Sequence, residues 1–237
     1  MTETTFFKNG KRIDGRNFDE LRPIEAKAGI LNNADGSGYF RFGNTVAIAG
    51  VFGPRPVHPK HLEDPQKAML RCTYNMASFS TTERKRPGPD RRSIEISKVT
   101  TEAIKPVLFL DEFPRTSIDV YIEIIQADAS TRCAGINAAA IALADAGIPM
   151  RDLVSSASAG KVGGEIVLDI AGKEDTEGEV DLPIAYYPRK NLITLLQMDG
   201  IVSYEEFKKI VDLAVKGAKK VYEVQKKALK NKYEVIE

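Results

Sequence analysis

The chain has few of the residues on which sulfur and imidazole chemistry depend. Its two cysteines, Cys72 and Cys133, stand too far apart to form a CxxC metal or redox pair. The first residues lack the basic and apolar segments of a signal peptide, so we expect a reduced, cytoplasmic environment. His58 and His61 are the only histidines, which argues against a histidine-based triad or zinc site.

Long apolar runs and a strong net charge are also missing. The most apolar stretch, residues 136–146, is too short to cross a bilayer and contains Asn137 and Asp145, so we predict no membrane span. A net charge of +1 gives no global attraction to nucleic acid, so any affinity for a polyanion must come from local patches. No GxxxxGKS or GxxxxGKT loop is present, which disfavours hydrolysis of nucleoside triphosphates.

The patterns that are present predict a mixed fold. Strand patterns lie at about 38–42, 46–52, 69–79, 118–126, 153–159, 165–170, 181–187 and 191–197. Helical spacing covers about 90–108 and 130–146, and a last helix begins at a capping box of Ser203 and Glu206. Mixed strands with separate helices predict an α+β fold in two halves, residues 1–149 and 150–237, with an amphipathic C-terminal helix.

Residues 126–132 lie where a strand pattern changes into an alanine-rich helix pattern. Ser130 and Thr131 therefore fall in the first turn of the helix, where backbone N–H groups are unpaired and the helix dipole is positive. Arg132 adds a fork of donors that matches phosphate oxygens. We interpret the segment as a phosphate site; the alternative is a simple Ser130 cap beside a solvated Arg132.

Acidic residues crowd the stretch from Asp169 to Asp181, around a turn at Gly178. At the mouth of a hairpin, Asp175 and Asp181 could bracket a hard cation such as Mg²⁺, which takes one or two carboxylates together with waters and phosphate oxygens. Asp181 opens an apolar strand, and we expect it to point inward from the strand edge. The alternative is an acidic surface loop.

A basic segment precedes the helix pattern of residues 90–108 and contains Arg84, Lys85, Arg86, Arg91 and Arg92. Cations at a helix N-terminus oppose the dipole, which indicates an anionic partner. Phosphates of single-stranded RNA would serve, and Tyr74 and Phe79 on the preceding strand offer faces for base stacking. The alternative is a flexible, solvated loop.

Taken together, the three segments favour chemistry on phosphodiesters, because phosphoryl transfer needs positioning, charge neutralisation and a proton donor. Their motifs resemble the RNase PH family of phosphorolytic 3′-exoribonucleases, and within it the catalytic RNase PH-like subunits of archaeal exosomes. The segments that carry the resemblance are residues 12–16 (RIDGR), 91–98 (RRSIEISK), 126–132 (QADASTR), 144–150 (ADAGIPM) and 179–183 (EVDLP).

The resemblance implies a fold like domain 2 of ribosomal protein S5. It also implies a trimer of heterodimers, in which a homologous non-catalytic subunit completes a six-membered ring that RNA-binding cap proteins cover. The implied reaction shortens single-stranded RNA from its 3′ end with inorganic phosphate as co-substrate and magnesium or manganese as cofactor. It releases nucleoside diphosphates, and excess diphosphate would drive it backwards to add 3′ tails.

Site roles follow from the same resemblance. Inorganic phosphate would be held by Ser130, Thr131, Arg132 and Arg92. Asp181 would act as the general acid or as a metal-linked carboxylate, with Asp175 as its metal-binding companion. The last nucleotides of the RNA would be gripped by Arg71, Tyr74 and Arg91.

The chain departs from related enzymes at two positions, and three alternative functions remain open. Related enzymes often have glycine where Ser130 stands, and polynucleotide phosphorylases carry a lysine where this chain has Pro183. The alternatives are a non-catalytic RNA-binding ring subunit, a homohexameric tRNA-trimming enzyme, and a hydrolase that uses metal-bound water. Non-catalytic members tend to lack the carboxylate and the phosphate-site arginine, whereas Asp181, Arg132 and Arg92 are all present.

Overall fold

The computed structural model describes residues 6–8 and 10–234 and has two main sheets with helices packed against them. The strands are β1 (Phe7–Lys8), β2 (Lys11–Arg12), β3 (Ile24–Ala28), β4 (Gly36–Phe42), β5 (Thr45–Pro56), β6 (Met69–Met76), β7 (Thr116–Gln126), β8 (Ser155–Val162), β9 (Glu165–Leu168), β10 (Val180–Tyr187), β11 (Leu192–Leu196) and β12 (Asp199–Gly200). The helices are α1 (Arg91–Ile104), α2 (Thr131–Asp145), α3 (Lys173–Glu177) and α4 (Tyr204–Tyr233), with short 3₁₀ turns at Lys60–Leu62, Lys105–Val107, Leu110–Glu112 and Pro188–Lys190.

The first sheet has the strand order β3-β4-β5-β7-β6. Its pairs are antiparallel except β6 with β7, which are parallel and are joined through α1, as a parallel connection requires. In β7 the alternating residues Ile118, Val120, Ile122 and Ile124 are fully buried, which confirms the period of two in the sequence. The strand ends at Gln126, and α2 begins five residues later.

The second sheet has the order β11-β10-β8-β9, with β12 also paired to β10, and all of its pairs are antiparallel. Helix α4 packs against β8 and β10 of this sheet and against β3 of the first. Its buried residues include Ile210, Ala214, Ala218 and Val221, so the predicted amphipathic helix is confirmed. The main core contains residues from both halves, among them Val154 and Ala185, and the α+β architecture is the one predicted.

Helix α1 is shorter than the sequence pattern suggested, because Pro106 prevents the helix from continuing to Leu108. Its N-terminus is set by a capping box in which the Asp90 side chain accepts from Ser93 N–H. The buried face runs through Ser93, Ile96, Thr100 and Ala103, whereas the apolar Ile94 is 62% exposed.

The acidic stretch is not a hairpin turn, and that prediction was wrong. Strands β9 and β10 pair with opposite edges of β8, so the chain must cross β8 between them. The crossing contains α3, whose Glu174 is drawn inward by buried Arg12. A buried ion pair of this kind orders a segment that sequence composition alone presents as a polar turn.

Candidate active site

Residues far apart in the chain line one cavity of about 530 Å³ between the helices and the second sheet. The lining residues are Arg92, Glu95, Arg132, Asp175, Thr176, Asp181, Pro183, Gln197, Met198 and Asp199. The basic side chains and Glu95 come from α1 and α2, and the three aspartates come from α3 and the β10–β12 edge. Thus the structure brings together the basic, anion-binding and acidic segments that the sequence singled out separately.

The loop of residues 128–132, which we call the anion loop, has an unusual backbone. Ala129 and Ser130 have φ values of 60° and 52°, in the left-handed region that non-glycine residues rarely adopt. The Ser130 hydroxyl does not cap α2. Instead it donates to the Ile170 carbonyl at 3.1 Å and shares a hydrogen bond with the Ser158 hydroxyl at 2.9 Å. The simple-cap alternative is therefore wrong, and no side chain among the described residues caps the first-turn N–H groups of α2, which suits an anion-binding end.

Further hydrogen bonds hold this strained backbone from the first sheet. The Thr45 hydroxyl donates to the Ala129 carbonyl at 2.7 Å and accepts from Asp128 N–H at 3.0 Å. On its other side, the Arg22 guanidinium donates to the Asp128 carbonyl at 2.5 Å. Two left-handed residues cost on the order of 1–3 kcal/mol each. They persist because neighbouring groups fix the loop at both ends.

Tyr74 supports the anion loop from beneath. Its hydroxyl donates to Thr131 Oγ1 at 2.9 Å, and only 2% of the residue is exposed. Burial raises the pKa of Tyr74, so the phenol stays a neutral donor. The ring is therefore not free to stack on a base, and the stacking role suggested for Tyr74 was wrong. Phe79, which lies beyond the end of β6, is 74% exposed and keeps that possibility.

Arg132 is held in position by two residues to which the sequence reading gave no role. Its Nη2 donates to Glu95 Oε2 at 3.1 Å, and Glu95 Oε1 accepts from Gln197 Nε2 at 2.6 Å. Its Nε is buried and has no acceptor among the described residues. An unmatched buried donor is costly, so a ligand that accepts from Nε would stabilise the site. Glu95 lies within the RRSIEISK segment, one turn after Arg91, and helical spacing could have indicated it.

The carboxylates make no such protein contacts. Asp175 and Asp181 form no ion pair or side-chain hydrogen bond with another described residue. The pKa of Asp181 is raised to about 7, mainly by burial and then by the charge of Asp175, with a smaller contribution from Asp199; the charges of Arg132 and Arg92 partly offset this rise. The pKa of Asp175 is also raised, mainly by burial.

Asp199 is a third acidic side chain beside Asp175 and Asp181, and the sequence patterns did not indicate it. We call these three residues the acidic wall of the cavity. It pairs in register with Asp181 across β10 and β12, a neighbourhood that strand register decides and that sequence spacing does not reveal. Even so, the described residues contain no group of three or more His, Cys, Asp or Glu side chains arranged to hold a metal. The Asp175 and Asp181 pair fits Mg²⁺ or Mn²⁺ only as a partial site, which water and substrate oxygens would complete.

The residues suggested for RNA binding do not lie together. Arg71 lies on the face of the first sheet opposite Tyr74, because side chains alternate along β6. There it forms a two-pronged pair with Asp119, at 2.5 Å from Nε to Oδ1 and 3.0 Å from Nη2 to Oδ2. Arg91 is exposed in the first turn of α1. Roles for Arg71 and Arg91 in RNA binding remain predictions.

Arg132 and Asp181 thus line one cavity, an arrangement suited to binding an oxyanion opposite a carboxyl group that can hold a proton or a cation. The family comparison agrees. The models for the 3′ exoribonuclease family, domain 1 and domain 2, match residues 20–149 and 152–217. The chain belongs to this 3′ exoribonuclease family, which is the RNase PH family that the sequence motifs indicated.

Similar proteins span nearly the whole chain. The exosome complex component Rrp41 of Pyrococcus furiosus is 62% identical over 95% of this chain and 90% of its own length. The protein of the same name from Methanopyrus kandleri is 55% identical over 98% of this chain and 97% of its own.

Two solved structures share the fold at 24% identity. Rice Rrp46 has a TM-score of 0.83 and covers 92% of this chain and 100% of its own. A chain of an Archaeoglobus fulgidus exosome with RNA bound to the active site has a TM-score of 0.79 and covers 91% of this chain and 92% of its own. Among the described residues, no helix is both long and apolar enough to cross a membrane.

Proposed function

We propose that this chain is the catalytic subunit of an exosome ring and that it shortens RNA from the 3′ end by phosphorolysis. Its relatives at 55–62% identity carry the name of an exosome component, and the family is one of 3′ exoribonucleases. The observation that carries the phosphorolytic part is the anion loop with the buried, unmatched Arg132 Nε, in one cavity with Asp181. An exonuclease that used water as its nucleophile would not need a second, preformed anion site.

In this proposal the anion loop binds inorganic phosphate. The first-turn N–H groups of α2 and the guanidinium of Arg132 donate to its oxygens, and Thr131 and Arg92 complete the cradle. One phosphate oxygen attacks the phosphorus of the last phosphodiester, and the bond from that phosphorus to the 3′ oxygen of the preceding nucleotide breaks. The products are a nucleoside diphosphate and an RNA that is one nucleotide shorter. The reverse step adds a nucleotide from a diphosphate.

Asp181 serves the leaving 3′ oxygen. With a pKa near 7, its carboxyl holds a proton at neutral pH often enough to donate it as that oxygen departs. Asp175 and Asp181 would also hold Mg²⁺ or Mn²⁺, which would neutralise charge on the reacting phosphates. The two roles of Asp181 are alternatives at any one moment, because a cation on the carboxylate would favour its charged form over the protonated one.

The second sheet supports the proposal of ring partners. Strand β11 forms one edge of that sheet, and apolar side chains are exposed on it and just beyond: Leu192, Ile193, Leu196, Met198 and Ile201. An exposed apolar edge strand is a surface that proteins normally cover. We propose a homologous non-catalytic subunit as its cover in a trimer of heterodimers. Cap proteins would complete the RNA path.

Product analysis tests the proposal. A labelled single-stranded RNA is incubated with magnesium, with and without inorganic phosphate, using the chain alone and the chain assembled with its homologous partner. We expect nucleoside diphosphates only when phosphate is present. Monophosphates without phosphate would show hydrolysis and contradict the mechanism. RNA binding without any product in the assembled complex would show a non-catalytic subunit.

A further inference from the structure

One buried arginine connects the two walls of the cavity. Arg22 is 5% exposed, and its guanidinium donates in two directions. Nε and Nη2 bind the two carboxylate oxygens of Asp169 at 2.9 and 2.7 Å, and Nη1 binds the Asp128 carbonyl at 2.5 Å. The backbone N–H of Arg22 also donates to Asp169, at 2.8 Å, which fixes the arginine at its base.

The two residues that Arg22 joins, Asp128 and Asp169, each lie at the start of a segment that carries proposed site residues. Asp128 is the first residue of the anion loop and comes directly before the left-handed pair Ala129 and Ser130. Asp169 follows β9 and leads into α3, which carries Asp175. Asp169 is 1% exposed and has a φ of 55°, so it is itself a strained and buried point of the chain.

We infer that Arg22 is a positioning residue, which holds the anion loop and the carboxylate-bearing segment in register so that phosphate meets the leaving group in line. The inference rests on the proposed phosphorolytic function. Arg22 does not line the cavity, and it touches neither phosphate nor RNA in the proposal. Its contribution is geometric, because small displacements of reacting groups reduce rates strongly.

The planar fork of arginine suits this position. One guanidinium presents donors along two edges at once, so it can satisfy a carboxylate and a carbonyl in fixed relative positions. A lysine could neutralise Asp169 with a single ammonium group but could not reproduce both contacts. Burial of Asp169 explains why a cation is needed; the bond to Asp128 explains why that cation should be arginine.

Arg16 supplies a matched control within the same network. It is also buried, at 7% exposed, and donates to the Asp169 carbonyl at 3.0 Å and to Asp169 Oδ2 at 3.3 Å. Its other acceptors are the side chain of Asp14 and the carbonyl of Glu20, so it makes no bond to the anion loop. A purely structural role for these arginines predicts similar behaviour of the two lysine variants.

The test compares Arg22→Lys with Arg16→Lys in the assembled complex. Phosphorolysis is measured as a function of phosphate concentration, and the phosphate-induced rise in melting temperature is measured beside it without RNA. We expect the phosphate KM of Arg22→Lys to rise by about 10- to 100-fold, as the loss of a charge-assisted hydrogen bond implies. Its phosphate-induced rise in melting temperature should shrink in parallel. Arg16→Lys should lose comparable stability and keep its phosphate KM.

Each outcome is decisive. Equal effects of the two variants on phosphate KM, or no effect of Arg22→Lys, would overturn the positioning role while leaving phosphorolysis intact. A wild-type complex that neither needs phosphate nor is stabilised by it would overturn the proposed function and the inference with it. If Arg22→Lys does not fold, Arg22→Gln, which keeps a donor for Asp169, takes its place with the same expectation.

Discussion

The two walls of the cavity are built in opposite ways. In the anion loop, Asp128, Ala129 and Ser130 are all tied to neighbouring residues by hydrogen bonds, and Arg132 is held by Glu95. Across the cavity, Asp181 has no such partner among the described residues, and its pKa is raised to about 7, mainly by burial. Hydrogen bonds thus fix the anion loop in one geometry, whereas the charge of Asp181 is not neutralised by a direct partner among the described residues.

This difference indicates a division of labour. An oxyanion needs several donors in a fixed geometry, and a well-anchored strained backbone provides them without reorganisation during the reaction. A group that must give up a proton or take a cation needs a variable charge, which direct salt bridges would remove. The buried, unpaired carboxyl of Asp181 therefore lowers the stability of the folded state, and in the proposed mechanism it stays able to donate a proton or bind a cation.

The largest expected effect comes from neutralising the acidic wall. Asp181→Asn keeps the shape of the side chain and removes its proton and its negative charge. We expect RNA shortening by the assembled complex to fall by about 10²- to 10⁴-fold, because a positioned general acid contributes that much. Ring assembly and RNA binding, measured by size-exclusion chromatography and by filter binding, should not change. Substantial phosphorolysis by the variant would remove Asp181 from the mechanism.

Reversing the charge of Arg132 in the anion loop should have the next largest effect on phosphorolysis. Arg132→Glu places a carboxylate where phosphate must bind, and we expect the phosphate KM to rise about 100-fold or more, measured by initial rates against phosphate concentration. The matched control is Arg91→Glu, an equal charge change at an exposed position outside the cavity. It should affect RNA binding more than phosphate use. An unchanged phosphate dependence in Arg132→Glu would contradict the anion-loop assignment.

The buried carboxyl of Asp181 should make the free energy of unfolding depend on pH. The pKa of Asp181 is raised from its usual 3.8 to about 7, mainly by burial. In metal-free protein the folded state is therefore most stable, with respect to this group, below pH 3.8, where the carboxyl is protonated in both states. That stability is lost as pH rises through about 7, because the buried carboxyl must then ionise. Asp181→Asn should therefore raise the free energy of unfolding at pH 8, by on the order of a few kcal/mol, and leave it unchanged near pH 4.

Denaturant unfolding with a chelator present, at both pH values, measures this effect. Asp175→Asn serves as the control, because removing that neighbouring charge should lower the pKa of Asp181 and recover part of the same gain. An equal gain at pH 4 and pH 8 would indicate better packing of the amide and would contradict an electrostatic origin.

The smallest expected effect concerns the support beneath the anion loop. Tyr74→Phe removes the hydroxyl that donates to Thr131 and keeps the buried ring. We expect a loss of stability of about 0.5–1.5 kcal/mol and a rise of a few-fold in the phosphate KM. Thermal unfolding and phosphate titration measure the two quantities. A variant with weakened RNA binding and unchanged phosphate KM would restore the base-contact role for Tyr74 that its burial argues against.

Much of the site could be predicted from sequence because its parts are local. Alternation along residues 118–126 followed by helical spacing predicts a strand-to-helix junction, and a helix N-terminus with Arg132 beside it predicts anion binding. The capping box at Ser203 predicts the start of α4 for the same reason, since its hydrogen bonds join residues three positions apart. Motif resemblance then assigned Asp181 and Asp175 to the same site.

The sequence by itself thus determined the class of the fold, the anion loop and the acidic stretch, since each depends on residues close together in the chain. Only the tertiary structure decided which groups meet: Glu95 with Arg132, Asp199 with Asp181, and Arg22 between Asp128 and Asp169. It also decided that Tyr74 is buried and that α3 crosses β8. These contacts depend on strand register, crossover connections and desolvation, which bring together residues from distant parts of the chain and leave no periodic trace in the sequence.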